Sequence, residues 1–149
     1  MTTANSVARY IIRFFQEAGD PVTNLKLQKL LYYVQGWHLA LNKKPIFDDR
    51  FEAWVHGPVQ PGVYGSYKQY KWSPIIDEVA APDLSPEEQA FIRSVLDVYG
   101  GDTGYSLEQR THLESPWMDA RGGIAADQES KAVIGQDSMR KFFESQIRQ

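Results

Sequence analysis

Three histidines, His38, His56 and His112, are the side chains best suited to acid–base or metal chemistry near neutral pH. A helical metal pair needs a second ligand three or four residues away. Around His38 those positions hold Val34, Gln35, Leu41 and Asn42. His38 is therefore read as a helix residue hydrogen-bonded near the core, and neither a metal nor a cofactor is expected. His56 precedes Gly57-Pro58, a stiff turn able to aim an imidazole, but a general base needs a group to activate. No Gly-x-Ser-x-Gly elbow, phosphate-cradling loop or dinucleotide fingerprint accompanies it. His112, between Thr111 and Leu113-Glu114, reads as a contact at a helix end. Carboxylates are paired at Asp48-Asp49, Asp77-Glu78 and Glu87-Glu88. The last suits a helix N-terminus, where negative charge is favourable. The first suits a solvated loop. A glycosidase needs two carboxylates at a set separation across a cleft, which adjacency does not supply. A hydrolase built on His56 or His112 with a loop carboxylate thus lacks a nucleophile, and no enzymatic activity is expected.

The stretch FEAWVHGPVQPGVYGSY, residues 51–67, holds four aromatic residues, two prolines and three glycines. Phe51 and Trp54 suit a core. Tyr64, Tyr67 and Tyr70 are harder to bury together, because each hydroxyl needs a partner once desolvated. Tyrosine and tryptophan anchor protein interfaces, and a loop stiffened by Gly and Pro loses little entropy on binding. The candidate partner-binding residues are therefore Trp54, His56, Pro58, Tyr64, Tyr67 and Tyr70.

These residues must be positioned by helices. Val7, Tyr10, Ile11, Phe14, Phe15 and Ala18 recur at three- and four-residue spacing, a helix that Gly19 stops. Thr23 or Asn24 can cap the next helix. Its stripe of Leu27, Leu30, Leu31, Val34 and Leu41 is joined by Leu25, Tyr32, Tyr33, Trp37 and Leu39. A helix apolar around so much of its circumference belongs at the centre of a fold. Asn42-Lys43-Lys44-Pro45 ends it, and residues 51–55 read as a short extended piece. Pro61 suits the first turn of a helix through Tyr64, Tyr67 and Tyr70, which Trp72-Ser73-Pro74 breaks. Ser85-Pro86-Glu87-Glu88 is a capping box with proline at the first helical position, opening a helix that ends at Gly100-Gly101. Ser106 with Gln109 repeats that spacing, and Ser115-Pro116 opens another brief helix. Residues 121–135 read as loop with mobile parts. Residues 136–147 form an amphipathic helix with Met139, Phe142, Phe143 and Ile147 on its face and Asp137 as cap. The expected fold is an all-α, mainly helical single compact domain spanning 1–149, with a central apolar helix and at most one short extended element.

A chain of 149 residues buries roughly two-thirds of its unfolded surface and needs no disulfide or metal to fold. It contains no cysteine, which removes disulfides and thiolate chemistry and is compatible with a reducing cytoplasm, the expected location. The opening MTTANSVARYIIRFF is too interrupted by charge for a signal peptide, and no apolar run approaches a membrane span. A net charge of −3 and a pI near 5.6 argue against nucleic acid as a partner. Lys26, Lys29, Lys43 and Lys44 are the nearest thing to a basic patch and read as a solvated helix face and its end.

The run KLQKLLYY at 26–33, QGWH at 35–38, PIFD at 45–48 and the E-A-W…G-P-V…Y pattern at 52–64 resemble the Panacea domain family, the SocA-like, often phage-associated antitoxins. Ile46 stands where that family usually has leucine. Tyr99-Gly100, residues 106–113 and Ser115-Pro116-Trp117 extend the resemblance along nearly the whole chain. It implies a compact helical antitoxin that neutralises a cognate protein toxin by direct binding. Some SocA-like members act instead as adaptors delivering the toxin to a protease, a role for which 121–135 would be the relevant segment. The resemblance carries no catalytic residues. Gln35, His38, Trp54, His56-Gly57-Pro58 and Tyr64 belong to its shared pattern.

Overall fold

The computed structural model describes residues 1–147. Helix α1 (Ala4–Glu17) starts where Thr3 Oγ1 accepts from the Ser6 amide at 3.1 Å. A second group reaches the same end: Asp49 accepts from the Ala4 amide at 3.0 Å, so one member of the Asp48-Asp49 pair tethers the N-terminus. Helix α2 (Asn24–Asn42) is capped by Thr23 and closes on Lys43 in the left-handed region, φ 62°. Leu27, Leu30, Leu31, Tyr32, Tyr33 and Val34 have no exposed surface, as an axis wrapped on all sides requires.

A hairpin of β1 (Phe51–Trp54) and β2 (Gly57–Val59) leads into α3 (Pro61–Tyr67) and a 3-10 turn, Lys68–Tyr70. Helix α4 (Pro86–Tyr99) opens on the expected capping box of Ser85 and Glu88. Next come α5 (Gly104–Thr111), α6 (Ser115–Arg121), strand β3 (Val133–Ile134) and α7 (Gln136–Gln146). The strands form one antiparallel sheet in the order β2-β1-β3. The fold is mostly α, and the expected extended piece is the middle strand of this sheet. Its two edges come from segments too short for any period to show. Among the described residues, no helix is long and apolar enough to cross a membrane.

Helix α7 makes the most extensive packing against α2. Gly36 allows this, because a Cβ there would overlap the Phe143 ring. Tyr33 stacks on Tyr99 at 4.1 Å between centroids, and Trp37 Nε1 donates to the Tyr99 hydroxyl at 2.8 Å. Such an aromatic pair contributes about 0.5–1.5 kcal/mol beyond its buried area. Tyr32 and Tyr33 donate to the two carboxylate oxygens of buried Glu114, each at 3.0 Å. Burial raises the Glu114 pKa to about 7, although both phenols and Arg110 pull it down.

Three boundary expectations change. Thr103, not Ser106, caps α5, accepting from the Ser106 amide at 3.0 Å, so the helix starts earlier. Gly135 precedes α7, and Asp137 instead pairs with Arg140 and Lys141 in its first turns. Ile147 follows that helix as its C-cap and is 50% exposed.

Candidate functional site

The β1–β2 hairpin rests on side chains of α2. Gly57 has φ 103°, and a Cβ there would sit 2.7 Å from Lys29 Cε and 2.8 Å from Thr111 Oγ1. Glycine is needed for both reasons. Pro58 lies opposite Ala53 in the register, where its absent N–H faces away from β1 and interrupts no ladder bond. Its carbonyl on that outer side accepts from Lys29 Nζ at 3.0 Å. Two residues on, the Gln60 amide donates to Gln28 Oε1 at 2.8 Å. Helix α2 thus occupies the outer edge of β2 with side chains in place of a strand. Lys29 is fully buried there, and burial lowers its pKa to about 7 against the opposing pull of Glu108.

Behind the turn, His56 Nδ1 donates to Glu108 Oε2 at 3.0 Å. His112 Nε2 donates to the Val55 carbonyl at 2.9 Å while its ring stacks on Trp117 at 4.2 Å. A carbonyl only accepts, so the proton of neutral His112 is on Nε2. Burial lowers the His112 pKa, with Glu108 opposing. Trp117 Nε1 donates to the Trp54 carbonyl at 2.7 Å. The buried Arg121 guanidinium lies over the Trp117 ring and donates to the carbonyls of Ala53, Ala125 and Gln128. The segment after α6 is thereby fastened to β1. The Ala53 amide donates to the Ala132 carbonyl at 2.8 Å, which brings β3 into the sheet.

These supports surround a groove of about 770 Å³. The first turns of α2 and the end of the hairpin form its floor. Tyr64, Lys68, Lys71 and Trp72 come from the segment leaving β2, and Asp127, Glu129, Ser130 and Lys131 from the segment entering β3. Trp54 donates from Nε1 to Glu52 at 2.8 Å, and its ring meets Tyr64 edge to face at 5.0 Å. Trp72 is 70% exposed, with its ring against His56 at 5.7 Å. The residue before it, Lys71, has φ 56° and ψ −117°, a conformation that costs a side-chain-bearing residue on the order of 1–3 kcal/mol. Trp72 is held outward despite that cost.

Of the six residues expected to meet a partner, Trp54, His56 and Tyr64 line this groove. Pro58 is buried within β2. Tyr67 corrects the expectation of an outward tyrosine row: it is 8% exposed and belongs to the core, because α3 turns its last residue toward α1. The helix ends there, and Tyr70, on the 3-10 turn, is half-buried and donates to Asp77. Lys29 corrects the surface reading of the lysines. Sequence reasoning also passed over Trp72, read as a helix breaker, and Glu108 and Arg121. A signal for Lys29 was present, since it lies between Leu27 and Leu30 on a helix apolar almost all round. His38 Nδ1 donates to the Lys44 carbonyl at 2.6 Å, ordinary end-of-helix bonding. Among the described residues, no group of three or more His, Cys, Asp or Glu is placed to hold a metal.

The model of the family described as "Antitoxin SocA-like, Panacea domain" matches residues 27–118. The chain belongs to this family. The matched stretch of the Panacea domain runs from α2 into α6 and includes the hairpin, α3 and Trp72, while residues 127–131 and α7 lie beyond it. The antitoxin SocA of Caulobacter vibrioides (strain NA1000 / CB15N) is 35% identical over 81 residues. That alignment covers 54% of this chain and 43% of SocA, so the chain spans less than half the length of this relative. No solved structure matches.

Proposed function

We propose that this Panacea domain is a cytoplasmic antitoxin that neutralises a cognate protein toxin by binding it directly, without catalysis. The observation carrying the reading is the aromatic rim of half-buried Trp54 and exposed Tyr64 and Trp72 on a buttressed hairpin, within a chain of the SocA-like family. Large aromatic side chains on a rigid support are the residues most often found to dominate protein interfaces. The histidines favour binding too. His112 is committed to a backbone carbonyl and a tryptophan face, and His56 to Glu108. Pro58 and Tyr67 support the hairpin and α3 from within, and Tyr70 is bonded to Asp77 outside the groove, so the contact set is Trp54, His56 and Tyr64, joined by Trp72.

Co-expression tests this. The product of the adjacent gene is induced with and without the protein, and growth and toxin level are followed together. Restored growth with the toxin retained in a co-purifying complex is expected. Restored growth with the toxin lost would replace neutralisation by binding with delivery to a protease. Absence of rescue beside a demonstrably toxic neighbour would refute the pairing.

A further inference from the structure

We propose that the groove recognises an acidic, aromatic-containing extended segment of the partner, its carboxylates meeting Lys68 and Lys71 and its apolar side chains packing between Tyr64 and Trp72. This rests on the antitoxin reading and names the chemistry of the contact. The whole chain is acidic, with a net charge of −3, yet Lys68 and Lys71 stand together on one side of the groove. Among the described residues neither is in an ion pair. Both are exposed, and they line the groove together with the exposed Trp72 and the Trp54–Tyr64 pair. The positive φ at Lys71 shapes the turn from which that lysine and Trp72 come at consecutive positions. The opposite side carries Asp127 and Glu129 beside Lys131. A segment with acidic residues toward one wall only is complementary to that division. A single-stranded nucleic acid is not, since its continuous phosphates would pass the two carboxylates. The volume, about 770 Å³, lies within the range of sites that hold several side chains or a drug-sized ligand.

The test uses the full chain, random 12-residue peptides displayed on phage, and the variants Lys68→Glu/Lys71→Glu and Trp72→Ala. These residues are exposed, so the variants should keep the wild-type circular dichroism and melting curve. Selection should enrich peptides pairing Asp or Glu with Phe, Tyr or Trp. The enriched peptide, read by fluorescence anisotropy, should bind each variant about tenfold more weakly or worse. A neutral or basic consensus, no consensus, or affinity unchanged in both variants would overturn the proposal. So would equal binding of a twelve-residue oligothymidylate. Growth rescue separates the two levels. If wild type rescues and the charge-reversed variant does not, the proposal stands. Rescue by every variant removes the groove's role and leaves the antitoxin reading intact. Failure of wild type itself removes both.

Discussion

Lys29 has no exposed surface of its own, and among the described residues its ammonium has one hydrogen-bond acceptor, the carbonyl of Pro58. An ammonium in such a place is costly unless held closely, and the close hold depends on Gly57. Alanine at 57 would be forced into a positive φ and into Lys29 Cε at 2.7 Å, with Thr111 Oγ1 at 2.8 Å. The long lysine can yield, whereas Thr111, fixed by its own bond to the Glu108 carbonyl, cannot readily do so. Gly57→Ala should therefore destabilise the fold by roughly 2 kcal/mol or more. A lower urea midpoint at unchanged slope would show this, and an unchanged midpoint would contradict it.

Among the elements, those long enough to show a period were legible from the residues alone. Helices α1, α2 and α4 follow their three- and four-residue spacing, and Ser85 with Glu88 marks the start of α4. Strands β2 and β3 were not legible. Three and two residues carry no alternation, and β2 includes a proline that its sealed edge tolerates. Nor was the groove legible as a unit, because its walls come from segments on either side of the sheet that meet only after folding. Trp54, His56 and Tyr64 were found through their residue types. Trp72 was hidden by the helix-breaking pattern that follows it. At this scale Gly36 offers a sharp test. Alanine would gain up to about 1 kcal/mol in helix propensity. It would also intrude into the Phe143 ring, and overpacking of this kind costs typically 1–3 kcal/mol. The steric loss should win, so Gly36→Ala should lower the melting temperature and weaken near-ultraviolet dichroism as α7 loosens. A higher melting temperature would mean that α7 does not rest on this notch.

For the whole molecule, two buried groups bend the pH dependence in opposite directions. Glu114 holds its proton more tightly in the folded state, its pKa moving from 4.5 to about 7. Between these values stability falls as pH rises. Lys29 holds its proton less tightly, its pKa moving from 10.5 to about 7. From about 7 upward stability then rises until the unfolded lysine also deprotonates. Together they place a shallow minimum near neutrality, a few kcal/mol deep at most. Denaturation from pH 4.5 to 10 should show it. Glu114→Gln should flatten the acidic limb and Lys29→Met the alkaline one. Profiles of unchanged shape in both variants would assign the curvature to other groups.

The dependence of α2 on α7 also has a consequence in time. Lys43, just past the end of α2, is bonded to Glu144 of α7, 101 residues further along the chain. At roughly 5–20 residues per second of synthesis, that separation corresponds to about 5–20 s. During this interval a nascent chain has its most apolar helix made and the helix that packs on it most extensively not yet made. Transiently exposed apolar surface of this kind is what chaperones bind, and this face of α2 is covered only after α7 has left the ribosome.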